Sequence, residues 1–288
     1  MKKLLLYIKS IRWFEIGVRM GAPLLAMIIA VSDLNLTNIA RMVHGLVAFF
    51  FGWAHGYTFN EWGGYAGDVH DPFKTQRPLL THELSRREIL VFSIILACIG
   101  VALYCLLNPM LLPIVFLSLC IGVLYNHPRI TLKKVRFASF FVLFIISIDD
   151  TLLGWLLFSH LVYQGVLIGL FFGVLGCAGI CYHETGDYES DRIAGIQTNA
   201  VRFGKRKLFY LGFVFYTVAC LYFITLTVFS IVPGMLYLGF LITYPGYAYL
   251  VYQCIRGGLE ASAVHRFITR YRILYGMIGL YMMIMLLV

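Results

Sequence analysis

Fourteen carboxylates are distributed over 288 residues, and eight of them fall in two stretches. Glu61, Asp68, Asp71 and Glu83 occupy the first; Glu184, Asp187, Glu189 and Asp191 occupy the second. Asn60, Gly64 and Asp68 are spaced by four, so a helix continued through them puts all three on one face, with Asp71 close by. Asp187 and Asp191 repeat that spacing, and Glu184 precedes Asp187 by three. Two helix ends of this kind can hold a hard, oxygen-liganded cation between them. Magnesium suits the arrangement, because it takes a few carboxylates, keeps some water and bridges to phosphate oxygens. Lys74 and Arg77 follow the first cluster, Arg192 follows the second, and Arg129, Lys133 and Lys134 lie between. Arginine forks and lysine point charges are the usual partners of phosphate. Ordinary solvated loops explain the basic residues, but not the matched spacing of the acidic ones.

The elements that position these groups are membrane spans. Residues are 60% hydrophobic and 13% charged, about half the charge of a soluble domain. Apolar runs of spanning length follow one another with polar breaks. Nine spans are expected, near 12–32, 38–60, 86–107, 109–125, 135–158, 162–182, 206–228, 231–253 and 268–287. The basic start (Lys2, Lys3, Lys9) precedes an apolar stretch too long for a signal peptide and without a small-residue cleavage site, so the first span is read as retained. Basic residues gather in alternate connections, whereas the opposite ones contain only Arg41. The positive-inside rule therefore puts the N-terminus and the long loops at about 61–85 and 183–205 in the cytoplasm, with the C-terminus opposite. The last span runs to Val288 without a polar tail, so no functional group is expected there.

The net charge of +9 follows from this topology and favours anionic lipid headgroups. Charge spread over separate loops argues against nucleic-acid binding, and no obligate protein partner is implied. The seven cysteines lie almost entirely in apolar runs and read as small core residues, even Cys177 and Cys181 at helical spacing.

Two segments carry a family resemblance. Asn60-Glu61-Trp62-Gly63-Gly64-Tyr65-Ala66-Gly67-Asp68, continued to Gln76-Arg77-Pro78-Leu79, resembles the first signature of UbiA-type intramembrane prenyltransferases. Glu184 to Gly195, continued through Thr198, Ala200, Val201, Arg202 and Gly204, resembles the second, aspartate-rich signature. Their places after spans two and six match that superfamily over essentially the whole chain. The resemblance implies an all-α integral membrane protein, a nine-helix bundle of the UbiA type forming one domain over 1–288. It further implies an isoprenyl diphosphate substrate whose tail lies among the helices, with Mg²⁺ at the diphosphate. By motif position, metal-binding and catalytic roles pass to Asn60, Asp68, Asp187 and Asp191, with Glu184 and Asp71 as additional ligands. Diphosphate contacts pass to Arg77, Arg129, Lys133 and Lys134.

One departure matters. Gly64 stands where prenyl-transferring members carry Asp, and Glu61 replaces the common Asp beside Asn60. Asp71 or Glu61 could compensate, the site could be degenerate, or it could be retuned. Gly or Ala at this position is associated with the terpene cyclase branch of the superfamily, in which the substrate's own double bonds capture the cation. Cyclisation is therefore the favoured expectation, transfer to an aromatic or other lipophilic acceptor the first alternative, and an ion-coupled transporter the second. Asp149 and Asp150, in the outer half of span five, read as a proton acceptor or cation anchor, or else as headgroup-facing if the span ends early.

Overall fold

The structure, a computed structural model, describes residues 2–130 and 132–287, without the side chains of residues 2, 133 and 287. The described chain is helical throughout its regular elements. A short α1 (Lys2–Ser10) leads into α2 (Trp13–Arg19) and α3 (Gly21–Ala30). The first expected span is thus two helices broken at Met20. Pro23 explains the break, since it cannot donate to the Arg19 carbonyl and its ring crowds that group.

The long α4 (Leu36–Asp68) begins at Asn35, whose side chain accepts from the Asn38 N–H at 2.8 Å. Its 33 residues extend about 50 Å, well beyond a hydrocarbon core of about 30 Å. The helix therefore continues past residue 60 to Asp68, so the connection expected from 61 begins only at Val69, and the part of the first signature at 76–79 lies in that connection. Next come α5 (Arg86–Leu107), started by a Ser85/Glu88 capping box, and α6 (Leu112–Asn126), set off by Asn108-Pro109. After these come α7 (Ala138–Trp155), α8 (Val162–Gly186), the short α9 (Tyr188–Ile193) and α10 (Asn199–Phe203), then α11 (Lys205–Val228), α12 (Tyr237–Arg256) and α13 (Ala261–Leu287).

Among the described residues, seven segments are long and apolar enough to cross a membrane: Trp13–Ala30, Arg86–Leu107, Pro109–Asn126, Ala138–Trp155, Val162–Gly186, Lys205–Val228 and Gly234–Arg256. The other two expected spans fall in α4 and α13, which are long but more polar because they carry His, Arg and Asn into the bundle.

Two cores flank a central chamber. One joins α8, α11, α12 and α13 through stacked aromatics: Tyr216 lies on Tyr247 with centroids 3.7 Å apart, and the Tyr182 and Tyr247 hydroxyls hydrogen-bond. The other joins α3 to α7 through Met27, Met42, Ala48, Tyr104, Leu111, Val115, Leu153 and Leu157. Small residues allow the closest crossings. A Cβ on Gly154 would meet the Pro23 carbonyl oxygen at 2.3 Å, and one on Gly100 would meet the Gly52 nitrogen at 3.2 Å. Cys177 and Cys181 are buried among apolar neighbours, as expected of core residues.

Candidate active site

The two acidic segments meet at the end of the bundle where α4 and α8 terminate, and a lysine joins them. Lys74 Nζ donates to Asp68 Oδ1 at 3.0 Å and to Asp187 Oδ1 at 3.2 Å, and stands 2.8 Å from Asp71 Oδ2. Arg77 Nη1 holds the other oxygen of Asp68 at 2.6 Å. Burial pushes the Lys74 pKa down, but the three carboxylates outweigh it and hold the ammonium above its ordinary value. Burial likewise pushes Asp68 up, and Lys74 and Arg77 more than offset it, leaving the carboxyl below its usual range.

Local backbone explains how each group arrives. Asp68 is the last residue of α4. The chain then turns, the Asp71 N–H bonding to the Asp68 carbonyl, while Asp71 Oδ1 accepts from the Phe73 N–H at 2.9 Å. That bond aims the other Asp71 oxygen at Lys74. Asp187 occupies the joint between α8 and α9, so the second signature is not one straight helix. The Asp191 N–H nevertheless bonds to the Asp187 carbonyl at 2.9 Å, which preserves the four-residue spacing across the joint. Gly67 lets the two signatures touch: a Cβ there would lie 3.0 Å from Ile196 Cδ1 and 3.6 Å from Asp191 Oδ1.

Asn60 sits two turns earlier on α4. Its Nδ2 donates to Asn126 Oδ1, and its Oδ1 accepts from Arg12 Nη2 at 3.5 Å. Gly63 makes this possible, because a Cβ there would collide with the Asn126 carbonyl oxygen at 2.0 Å. Glu184 has a different setting from the other acids. Its oxygens accept from Asn199 Nδ2 and the Ala200 N–H, each at 3.3 Å, so it anchors the start of α10 while still lining the chamber. Of the two residues proposed to compensate for Gly64, Asp71 reaches the acidic cluster and closes it from behind Lys74. Glu61 is instead buried, within the electrostatic influence of Arg77 and Arg12.

The basic residues divide. Lys74 and Arg77 line the chamber, whereas Arg129 and Lys134 are exposed on the connection before α7 and are not part of its wall. The Lys133 side chain lies outside the described residues. Three arginines that motif position did not single out, Arg12, Arg19 and Arg272, do line the chamber. Arg12 and Arg19 lie on the helical entrance segment, where a basic residue reads as topology. Arg272 lies in α13, where Nη2 hydrogen-bonds His183 Nε2 at 2.6 Å and Nη1 stands 3.6 Å from Glu15. Only the packing of that helix against α8 shows which arginines face inward.

From this charged mouth a chamber of about 660 Å³ runs into the bundle. Tyr125 lines it beside the acidic residues, and Phe49, Trp53, Tyr57 and Tyr104 line it further along. Asp150 also lines it and is buried, accepting from Trp53 Nε1 at 3.1 Å. Asp149 is buried too, bonded to Ser118 Oγ at 3.0 Å. Both therefore lie inside the bundle rather than on its surface. A side pocket of about 110 Å³ opens beside Arg19, Tyr57, His183 and Arg272.

The donor set fits magnesium in kind: hard carboxylate oxygens from two helix ends already converge on one cation. Among the described residues, no three of His, Cys, Asp or Glu stand in an arrangement ready to hold a metal ion. The oxygens surround an ammonium at 2.8–3.2 Å, against Mg–O distances of about 2.0–2.1 Å. Lys74 must therefore turn aside before these oxygens can close on a metal.

Known proteins share this architecture. The structure of a UbiA homologue from Archaeoglobus fulgidus bound to GPP and Mg²⁺ superposes with a TM-score of 0.74 at 18% identity, covering 98% of this chain and 100% of that one. A structure described as digeranylgeranylglyceryl phosphate synthase in membranes gives 0.69 at 18% identity over 99% and 98%. The apo UbiA homologue from Aeropyrum pernix K1 gives 0.70 at 17% identity over 94% and 98%. No curated protein matches the chain. The family model described as UbiA prenyltransferase family matches residues 21–271. With both signatures meeting at the mouth of an aromatic chamber, and that match spanning all but the ends of the sequence, the chain belongs to the UbiA prenyltransferase family.

Proposed function

We propose that this protein is a magnesium-dependent membrane enzyme that ionises an isoprenyl diphosphate and cyclises the resulting cation to a terpene. The observation that carries the diphosphate reading is the convergence of Asp68, Asp71 and Asp187 on one cation at the mouth of an apolar chamber. The GPP and Mg²⁺ bound by the Archaeoglobus homologue support it. Asp68, Asp187 and Asp191 would hold the metal, with Asn60 and Asp71 at its edge and Glu184 fixing the α10 turn. When bound, Mg²⁺ supplies positive charge to the departing diphosphate oxygens. Lys74, Arg77 and Arg12 would orient the diphosphate and receive its charge as the C–O bond breaks. The buried aromatic wall then excludes water from the cation and presents π faces to it. We further propose that α4 and α13 also cross the bilayer, completing nine spans in one domain, with the acidic mouth on the cytoplasmic side. The density of basic residues at that end supports this sidedness.

Gly64 favours cyclisation. It lines the chamber where prenyl-transferring members would place another carboxylate. Transfer to a lipophilic acceptor is the second reading, favoured by the family description and by the side pocket at Arg19, His183 and Arg272, which has polar groups for an acceptor head. The deciding experiment supplies Mg²⁺ with geranyl, farnesyl, geranylgeranyl and geranylfarnesyl diphosphates singly, in detergent and without acceptor. A hydrocarbon or alcohol formed from one chain length, with stoichiometric diphosphate release, is the expected result. Consumption only after a quinone precursor or other lipophilic acceptor is added would establish transfer instead.

A further inference from the structure

The carboxylate at the deep end of the chamber has no part in holding metal or diphosphate. Trp53, its hydrogen-bond partner, lies fifteen residues before Asp68 on the unbroken α4, about 22 Å along the helix. Ionised groups are costly at such depth, and those that face a cavity mark a functional pathway. Asp150 meets both conditions, since it is 4% exposed and lines the chamber as well as the side pocket. Asp149 differs: it is tied to Ser118 and is not part of the chamber wall.

The surroundings of Asp150 are those of a held base. Trp53 Nε1 fixes one carboxylate oxygen at 3.1 Å. The Arg19 guanidinium, 4.5 Å above the Trp53 ring, is the cation whose charge acts on Asp150. Phe49, Trp53 and Tyr104 form the neighbouring wall, so a carbocation brought here meets π faces beside a carboxylate.

We infer that Asp150 is the general base that ends the reaction, removing a proton from the final carbocation at the end of the chamber remote from the diphosphate. A C–H bond on the carbon next to the cationic centre breaks. Its electron pair becomes the new C=C bond, and the proton passes to the Asp150 carboxylate, whose Oδ1 is held by Trp53, giving a neutral olefin. The inference rests on the cyclisation reading, because in prenyl transfer the reacting carbon stays beside the diphosphate, out of reach of Asp150.

The test uses the full-length protein, Mg²⁺ and whichever of the four prenyl diphosphates the wild type consumes without acceptor, with released diphosphate and organic products measured separately. Asp150→Asn keeps an acceptor for Trp53 and nearly the same volume. Olefin yield should fall about 100-fold, the scale of a lost general base, while diphosphate release stays within about threefold because ionisation occurs elsewhere. Water-quenched alcohols or earlier, less cyclised products should replace the olefin. Asp149→Asn should leave the product profile unchanged. Loss of olefin and diphosphate release in equal proportion, or an unchanged profile, would overturn the assignment. If Asp150→Asn cannot be purified folded, Asp150→Glu substitutes: a carboxylate displaced by one methylene should move the double bond in the product, and an unaltered olefin overturns the proposal. A wild type that turns over only with acceptor defeats the cyclase reading itself, and Asp150 as terminal base with it. That failure is seen before any variant is made.

Discussion

Lys74 Nζ stands 3.2 Å from Asp187 Oδ1, across 113 positions of sequence, and this contact ties the loop after α4 to the joint between α8 and α9. The ammonium stands among three of the carboxylates that the family resemblance assigns to metal, Asp68, Asp71 and Asp187. The metal-free protein is thereby spared unpaired negative charges at Asp71 and Asp187 in a partly buried site, Asp68 having Arg77 as a second partner.

Replacing Lys74 by Met should lower the metal-free protein's stability by about 2 kcal/mol, less than the loss from a fully buried pair because Asp187 is partly exposed. Added Mg²⁺ should then raise the melting temperature more in the variant than in the wild type, since no resident cation competes. Thermal unfolding in detergent, with and without Mg²⁺, measures both. Equal shifts in the two proteins would mean that Lys74 and the metal do not share a site.

Asp68→Ala and Asp187→Ala should each reduce diphosphate release by at least about 100-fold, the scale of losing a main electrostatic contributor. Both should remain monodisperse in detergent. Full turnover in either variant would remove that residue from the metal site.

Arg12→Ala and Arg77→Ala should each raise the KM for prenyl diphosphate about tenfold, the equivalent of one charge-assisted hydrogen bond of about 1.4 kcal/mol. Arg129→Ala and Lys134→Ala should leave KM within about twofold, because these side chains lie on the exposed connection. Steady-state kinetics on the four variants compares motif position with packing directly.

Gly63→Ala forces a methyl into the Asn126 carbonyl oxygen, so α4 and α6 must separate and the Asn60–Asn126 bond must stretch. A loss of about 1–3 kcal/mol is expected, together with reduced activity. Gly276→Ala, with nothing within 4 Å of the added carbon, is the control and should be neutral. Melting temperatures of the two variants decide the matter.

The acidic cluster also sets a pH dependence for the metal-free protein. Asp68 has a folded pKa below the ordinary 3.8, so its contribution is present above that value and is lost as pH falls through the folded value. Lys74 is raised above 10.5, so its contribution is present below that value and is lost only as pH rises past the folded one. Stability from this cluster should therefore be flat near neutrality and fall at both extremes. A melting series should show a shallower acid limb in Asp68→Asn than in the wild type, and an identical limb would exclude Asp68 as its source.

The sequence by itself determined the helical class, the approximate spans and the two acidic segments. Each depends on local pattern: apolar runs of spanning length, a four-residue repeat of polar groups, and Pro or capping residues at the breaks. The sequence leaves open whether α4 passes through Asn60, Gly64 and Asp68, because Gly63, Gly64 and Gly67 all weaken a helix there; in the structure it runs unbroken to Asp68. Tertiary structure alone decided which charges act together. Lys74 lies six residues beyond Asp68, yet only the approach of α8 makes it the shared partner of Asp187. Arg12 and Arg272 become part of the chamber because α2 and α13 pack against α4 and α8, whereas Arg129 and Lys134 stay on the surface despite their place near the signatures. Asp150 parts from Asp149 for the same reason. Neighbours on a helix point about 100° apart, and only the packing of α7 against α3, α6 and α8 determines which of the two meets the chamber.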